Sequence, residues 1–315
     1  MLKAGFIGAG GRAAGAHYPS VDRLDNVSME AVAELDEARG QRVVERYNIP
    51  KMYRDHQEML AETDPDIVYC VMNEIYTLKP AVDCMNAGKH VFIEKPPGAN
   101  ADEAEQLRDA AVRNDVYCAV GLQRRFASVT QEAMRLVNER GQPTLVTASF
   151  NKLLCGGPGN TTTLWNDVIH IVDLVRYMAQ SEAAETTAYQ DCFDENWRNC
   201  YTSMIRFENG ATGIVMGNRI SGGRVLRAEL HGIGVGCYMR LPEGVEILVD
   251  NQKPVWKSGA EIAGCEERDE PQYEGVLEMH EHFASCVLDG KTPINDIRDV
   301  VHTARLTEAL EGDAE

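Results

Sequence analysis

An apolar run, Ala4-Gly5-Phe6-Ile7, breaks into Gly8-Ala9-Gly10-Gly11-Arg12-Ala13 and then into a helical pattern, and no other feature restricts the fold so tightly. Gly8 permits a tight strand-to-helix turn, and Gly10 leaves the backbone bare where a pyrophosphate would approach. Ala13, standing where a third Gly is common, keeps helix and strand close. A second apolar run, Glu30-Ala31-Val32-Ala33, ends at Glu34, about 20 residues beyond the glycines. A carboxylate there can accept hydrogen bonds from the adenosine ribose and repel a 2′-phosphate. The two features together predict a dinucleotide site built on Gly8, Gly10, Gly11, Arg12, Ala13 and Glu34. NAD is favoured and NADP is the alternative, in which Arg12 would help hold the extra phosphate.

Strand and helix signals then alternate to residue 122. Asp36 caps a helix that Asn48-Ile49-Pro50 ends, and Ile67–Met72 reads as a buried strand. A helix from about Lys79 stops at Gly88, and His90–Ile93 is the next strand. Asn100-x-x-Glu103 opens another helix as a capping box, and Val116–Val120 closes the series. This is the pattern of a doubly wound parallel sheet. Residues 123–315 change character. A helix at 131–140 and an alternating strand, Thr144–Lys152, lead to an irregular loop at 155–163, read either as a substrate lid or as an ordinary connection. A helix follows from about Asn166 to Met178. Hairpin signals come next, clearest at Tyr201–Phe207, Asn209-Gly210 and Ala211–Met216. Helices around Tyr273–Leu288 and after Asn295 finish the chain. The expected architecture is α/β: a Rossmann domain over 1–122, then an α+β domain over 123–315.

Two segments carry chemistry. Val91-Phe92-Ile93-Glu94-Lys95-Pro96-Pro97 is a strand that ends in a carboxylate, an ammonium and two prolines. Trp165-Asn166-Asp167-Val168-Ile169-His170 places an Asp three residues before a His at the start of a helix. A Lys, a His and an Asp acting on one alcohol suffice for the proton handling of a redox reaction.

Charge narrows the partners. The chain has 31 Lys+Arg against 49 Asp+Glu, a net charge of −18, which argues against nucleic acid and anionic membranes. No apolar run approaches the about 18 residues that a membrane span needs, and the N-terminus enters a strand directly, so a cytoplasmic location is expected. Nine cysteines without a C-x-x-C pair read as reduced structural thiols. His280-Glu281-His282 diverges on a helix, so no metal site is expected.

Four blocks in order now carry a resemblance: the Gly-rich start, Ala87–Pro96, Gly121-Leu122-Gln123-Arg124-Arg125-Phe126, and His170-x-x-Asp173-Leu174. The chain resembles the glucose–fructose oxidoreductase / inositol dehydrogenase / MocA family. That resemblance implies a Rossmann domain followed by a large open, mostly antiparallel sheet that commonly forms an oligomer interface, so a homodimer or homotetramer is expected. It also implies an NAD(P)-dependent oxidation or reduction at a sugar, cyclitol or polyol carbon. Relatives that use transient oxidation to cleave a glycosidic bond, and a non-catalytic nucleotide-responsive binding protein, are the alternatives.

By similarity, Lys95 supplies the cation that positions the substrate hydroxyl and His170 is the acid/base. Asp167 orients His170 or binds substrate. Glu94 and the backbone before Pro96 lie beside the nicotinamide ribose, with the Lys95–Pro96 bond cis. Two departures stand out. Many members have an Asp where this chain has Asn166, which leaves Asn166 and Asp167 as candidates for one role. Many also have Thr-Pro where this chain has Met72-Asn73; Asn73 is then the cofactor contact. Asp173 is read either as a substrate contact or as a buried structural hydrogen-bond partner.

Overall fold

The computed structural model describes residues 1–154 and 157–312. The start of the expected lid loop, Cys155 and Gly156, lies outside the described residues. The chain forms two compact units: Met1–Leu122 with Val276–Val301, and Gln123–Gly275 with the residues from His302 on. The expected second domain over 123–315 is corrected accordingly, because residues 276–301 belong to the first unit.

In the first unit six strands form a parallel sheet: β1 (Leu2–Ile7), β2 (Val27–Ala33), β3 (Lys51–Tyr53), β4 (Ile67–Cys70), β5 (His90–Ile93) and β6 (Cys118–Val120). Their spatial order is β3-β2-β1-β4-β5-β6. Strands β4 and β5 are apolar and almost wholly buried, as strands covered on both faces must be. The helix Val276–Asp289 joins this core because Phe283 and His280 pack against Tyr69 and Phe92. Asn295 Nδ2 donates to the Val120 carbonyl at 2.7 Å and Asp296 Oδ2 accepts from the Cys118 N–H at 3.0 Å, which fixes the returning segment to the edge strand.

Helix starts follow the capping residues. Asp36 accepts from the Arg39 N–H, and Asn100 from the Glu103 N–H. The helix expected from about Lys79 begins earlier, at Glu74, with Asn73 as its cap and Pro80 accommodated inside it.

In the second unit eight strands form one sheet: β7 (Leu145–Leu153), β8 (Ala183–Asp191), β9 (Cys200–Phe207), β10 (Thr212–Asn218), β11 (Ile220–Gly232), β12 (Val235–Arg240), β13 (Gly244–Val249) and β14 (Val255–Ser258). The order is β14-β13-β12-β11-β7-β10-β9-β8, antiparallel except for the β7–β10 pair. One face packs on the helices Ser128–Asn138 and Ile169–Ala179 through Val146, Ala148, Ile205, Val215 and Leu230. Strand β9 alternates buried and exposed residues, and its other face leaves Met204 exposed, as are Met216 of β10 and Tyr238 of β12. Both units therefore have the expected fold.

Candidate active site

The nucleotide turn follows β1. Gly8 has φ +100°, and a Cβ there would lie 2.4 Å from the Val71 carbonyl oxygen, so only glycine fits. Gly10 and Gly11 have open space where a Cβ would stand. The helix after them widens into a π turn over Ala13–His17.

A cavity of about 780 Å³ is lined by Gly8, Gly10, Glu34, Met72 and Asn73, and another of about 600 Å³ by Gly10, Gly11, Arg39 and Arg46. Glu34 closes the turn: its Oε2 accepts from the Ala9 N–H at 2.7 Å and its Oε1 from the Asp36 N–H at 3.0 Å. Each oxygen keeps lone-pair capacity for a ribose hydroxyl. A bare backbone turn, a helix start and a carboxylate beside one cavity fit a dinucleotide.

Lys95 follows β5 at the C-terminal edge of the same sheet, and the Lys95–Pro96 bond is cis. Lys95 is half-buried and Pro96 buried. The Glu94 side chain is buried and occupied inside the unit. Oε1 accepts from Arg12 Nε at 2.8 Å and from His17 Nε2 at 2.6 Å, while Oε2 accepts from the Lys95 N–H at 2.9 Å. Glu94 is thus an anchor for the lysine. Burial pushes its carboxyl up, but the His17 hydrogen bond and the charges of Arg12 and Lys95 outweigh this and hold it well below the usual range.

Behind His17 stands His280, fully buried, with Nε2 3.0 Å from His17 Nδ1, so one ring donates a hydrogen bond to the other. Burial holds His280 well below the ordinary imidazole range. Arg12, expected as a phosphate contact, also donates its Nε to Glu94, and its side chain is 46% exposed. His17 and its partner His280 were not legible as a site, since a His on an amphipathic helix carries no distinguishing signal.

In the second unit the helix bearing His170 is not α-helical from Asn166. Leu164–Val168 form a π turn, and the α-helix runs over Ile169–Ala179. His170 is buried. The Asp167 carboxylate is ion-paired with Lys152 Nζ at 2.8 Å and Arg219 Nε at 3.0 Å. Asn166 stands one residue earlier in the same turn, partly exposed, with its N–H bonded to the Thr162 carbonyl at 2.8 Å. Asp173 is fully buried. Its Oδ2 accepts from Arg125 Nε at 2.8 Å, and its Oδ1 accepts from Arg125 Nη2 at 2.5 Å and Thr303 at 2.8 Å. The reading of Asp173 as a substrate contact is corrected: three hydrogen bonds hold both its oxygens inside the unit.

These features define an oxidoreductase with an NAD-type Rossmann domain. Residues 2–122 match the Gfo/Idh/MocA family, described as an oxidoreductase family with an NAD-binding Rossmann fold. The match is confined to that region, which is similar to the NAD-binding domain of the family.

It is 33% identical over 130 residues to trans-1,2-dihydrobenzene-1,2-diol dehydrogenase of Danio rerio, covering 41% of this chain and 39% of that protein. It is 25% identical over 300 residues to scyllo-inositol 2-dehydrogenase (NAD(+)) of Bacillus subtilis strain 168, covering 91% of this chain and 85% of that one. A dehydrogenase of Chromobacterium violaceum shares the fold with a TM-score of 0.88 at 19% identity, over 98% of this chain and 94% of that one.

Proposed function

We propose that this protein is an NAD-dependent dehydrogenase that oxidises a secondary hydroxyl of a sugar, cyclitol or related polyol, or reduces the matching ketone. One observation carries the reading. Lys95 stands at the same sheet edge as the glycine turn, with its backbone N–H fixed by a carboxylate that Arg12 and His17 hold in turn. NAD, when bound, supplies the hydride acceptor. Lys95 donates to the substrate oxygen and stabilises negative charge developing there. His170 takes the hydroxyl proton as the C–H bond breaks, and returns it in the reverse direction. Asp167, held by Lys152 and Arg219, borders this proton relay, with Asn166 beside it. The names of the diol and inositol dehydrogenases among the relatives support the substrate class.

We also propose a cytoplasmic homo-oligomer assembled through the open sheet face, which the exposed Met204, Met216 and Tyr238 support. Among the described residues no helix is long and apolar enough to cross a membrane.

The test is a screen for NAD reduction over sugars, inositols and sugar acids. Turnover of at least one polyol is expected. Tight NAD binding with no turnover of any member would replace this reading with a nucleotide-responsive binding protein.

A further inference from the structure

Lys152, Arg219 and Arg224 carry no motif in the sequence. All three surround the ring of Phe150: Arg219 Cζ lies 4.5 Å from its centroid, Arg224 Cζ 5.4 Å and Lys152 Nζ 5.6 Å. Asp167 faces two of them and no other carboxylate among the described residues pairs with any of the three. Three cations around one anion leave an excess of positive charge, in a chain whose net charge is −18.

Arg219 is fully buried, at the link between β10 and β11. Its Nη1 donates to the Phe150 carbonyl at 2.8 Å, but its Nη2 is buried without a hydrogen-bond partner among the described residues. A buried guanidinium N–H with no acceptor is costly, and such groups in a folded protein point to a missing partner. Arg224 is exposed and forms no ion pair among the described residues. It ends an irregularity in β11, where Ile220 pairs with Leu153 and Val225 with Asn151, so that Ser221–Arg224 bulge opposite Lys152. Bulges of this kind re-aim side chains beside active sites.

We infer that the substrate carries an anionic oxygen group, a carboxylate or a phosphate, held by Lys152, Arg219 and Arg224 next to Asp167 and His170. This rests on the dehydrogenase reading above and narrows its substrate class. Lys152 and Arg219 neutralise Asp167 and present their remaining donors to the anion. Arg224, which touches no other charge, contributes recognition alone.

The test is steady-state kinetics with saturating NAD on matched sets: D-glucose, D-glucuronate and D-glucose 6-phosphate, then myo-inositol and myo-inositol 1-phosphate. One anionic member is expected to exceed its neutral counterpart at least tenfold in kcat/KM, and the carboxylate and phosphate arms show which anion is used. Arg224→Ala should cut kcat/KM for that anion about 10- to 100-fold through KM, with kcat nearly unchanged, and Arg224→Lys should recover part of the loss. A purely structural cluster would not produce that KM-only effect. Turnover of neutral members at least as efficient as of the anionic ones, or an Arg224→Ala variant with unchanged KM for the anion, overturns the inference and leaves the dehydrogenase reading standing. Absence of turnover in every arm removes both.

Discussion

His17 Nε2 stands 2.6 Å from Oε1 of Glu94, so a residue on the first helix sets the carboxylate that holds the Lys95 backbone. The two partners are 77 residues apart in sequence and both are buried. The arrangement links the nucleotide turn to the lysine within one unit, and it makes the stability of that unit depend on pH.

Glu94 titrates lower in the folded chain than in the unfolded one, so its stabilising contribution is present above the ordinary carboxylate range and lost as pH falls through it. His280 is also held low, so the unfolded state binds a proton first, and its contribution fades below about pH 6.5. Urea unfolding between pH 3 and 8 should show stability declining from about pH 6.5 and more steeply below about pH 4.5. Glu94→Gln should flatten the lower part of that curve while lowering stability at neutral pH. An unchanged acid slope in Glu94→Gln would contradict the assignment.

Lys95→Ala and His170→Ala should each lower kcat by about 10²–10⁴-fold, the range expected for a lost acid/base or charge-stabilising group. Calorimetry of NAD binding should give affinities within about threefold of the parent, since neither side chain is assigned to the adenosine half. Parental turnover in either variant would remove that residue from the mechanism.

Glu34→Ala should weaken NAD more than NADP, because the ribose acceptor is lost while the repulsion of a 2′-phosphate disappears with it. Arg39 and Arg54, which line the same cavity, remain to meet the added phosphate. Fluorescence titration with both nucleotides measures the ratio, and equal losses would unseat Glu34 as the discriminator.

Asp173→Ala should destabilise the second unit by about 3–5 kcal/mol, the usual cost of breaking a buried ion pair and stranding its partner. Here the stranded group is Arg125, which is 1% exposed at the side chain. Chemical denaturation checks this, and a loss well under 1 kcal/mol would mean that Arg125 finds another partner.

Much of the first unit was legible because its signals are local. Asp36 and Asn100 act within a few residues of themselves, Gly8 and Glu34 stand at the ends of the first two apolar strands, and β4 and β5 announce burial by composition alone. The start of the helix at Glu74 was missed because Pro80 reads as a boundary, and the Asn73 cap that decides it also lines the cavity beside Gly8. The return of residues 276–301 to the first unit depends on Phe283 and His280 meeting Tyr69 and Phe92, which no local pattern encodes. The π turns at 13–17 and 164–168 have no hydrophobic period of their own, so the helix holding Asp167 read as regular. For the same reason the partners of Asp167 and Glu94 were hidden: Arg219 and His17 reach them through space, not through spacing.

The shared oxygen of Glu94 also bears on engineering. Arg12, His17 and the Glu94–Lys95 pair can be exchanged only as a set, since changing one leaves the others with a mismatched proton or charge. A Glu-Lys-Pro segment grafted onto another parallel sheet would bring its lysine without the two donors that fix its address. The transplantable element is the whole first helix together with the end of the fifth strand.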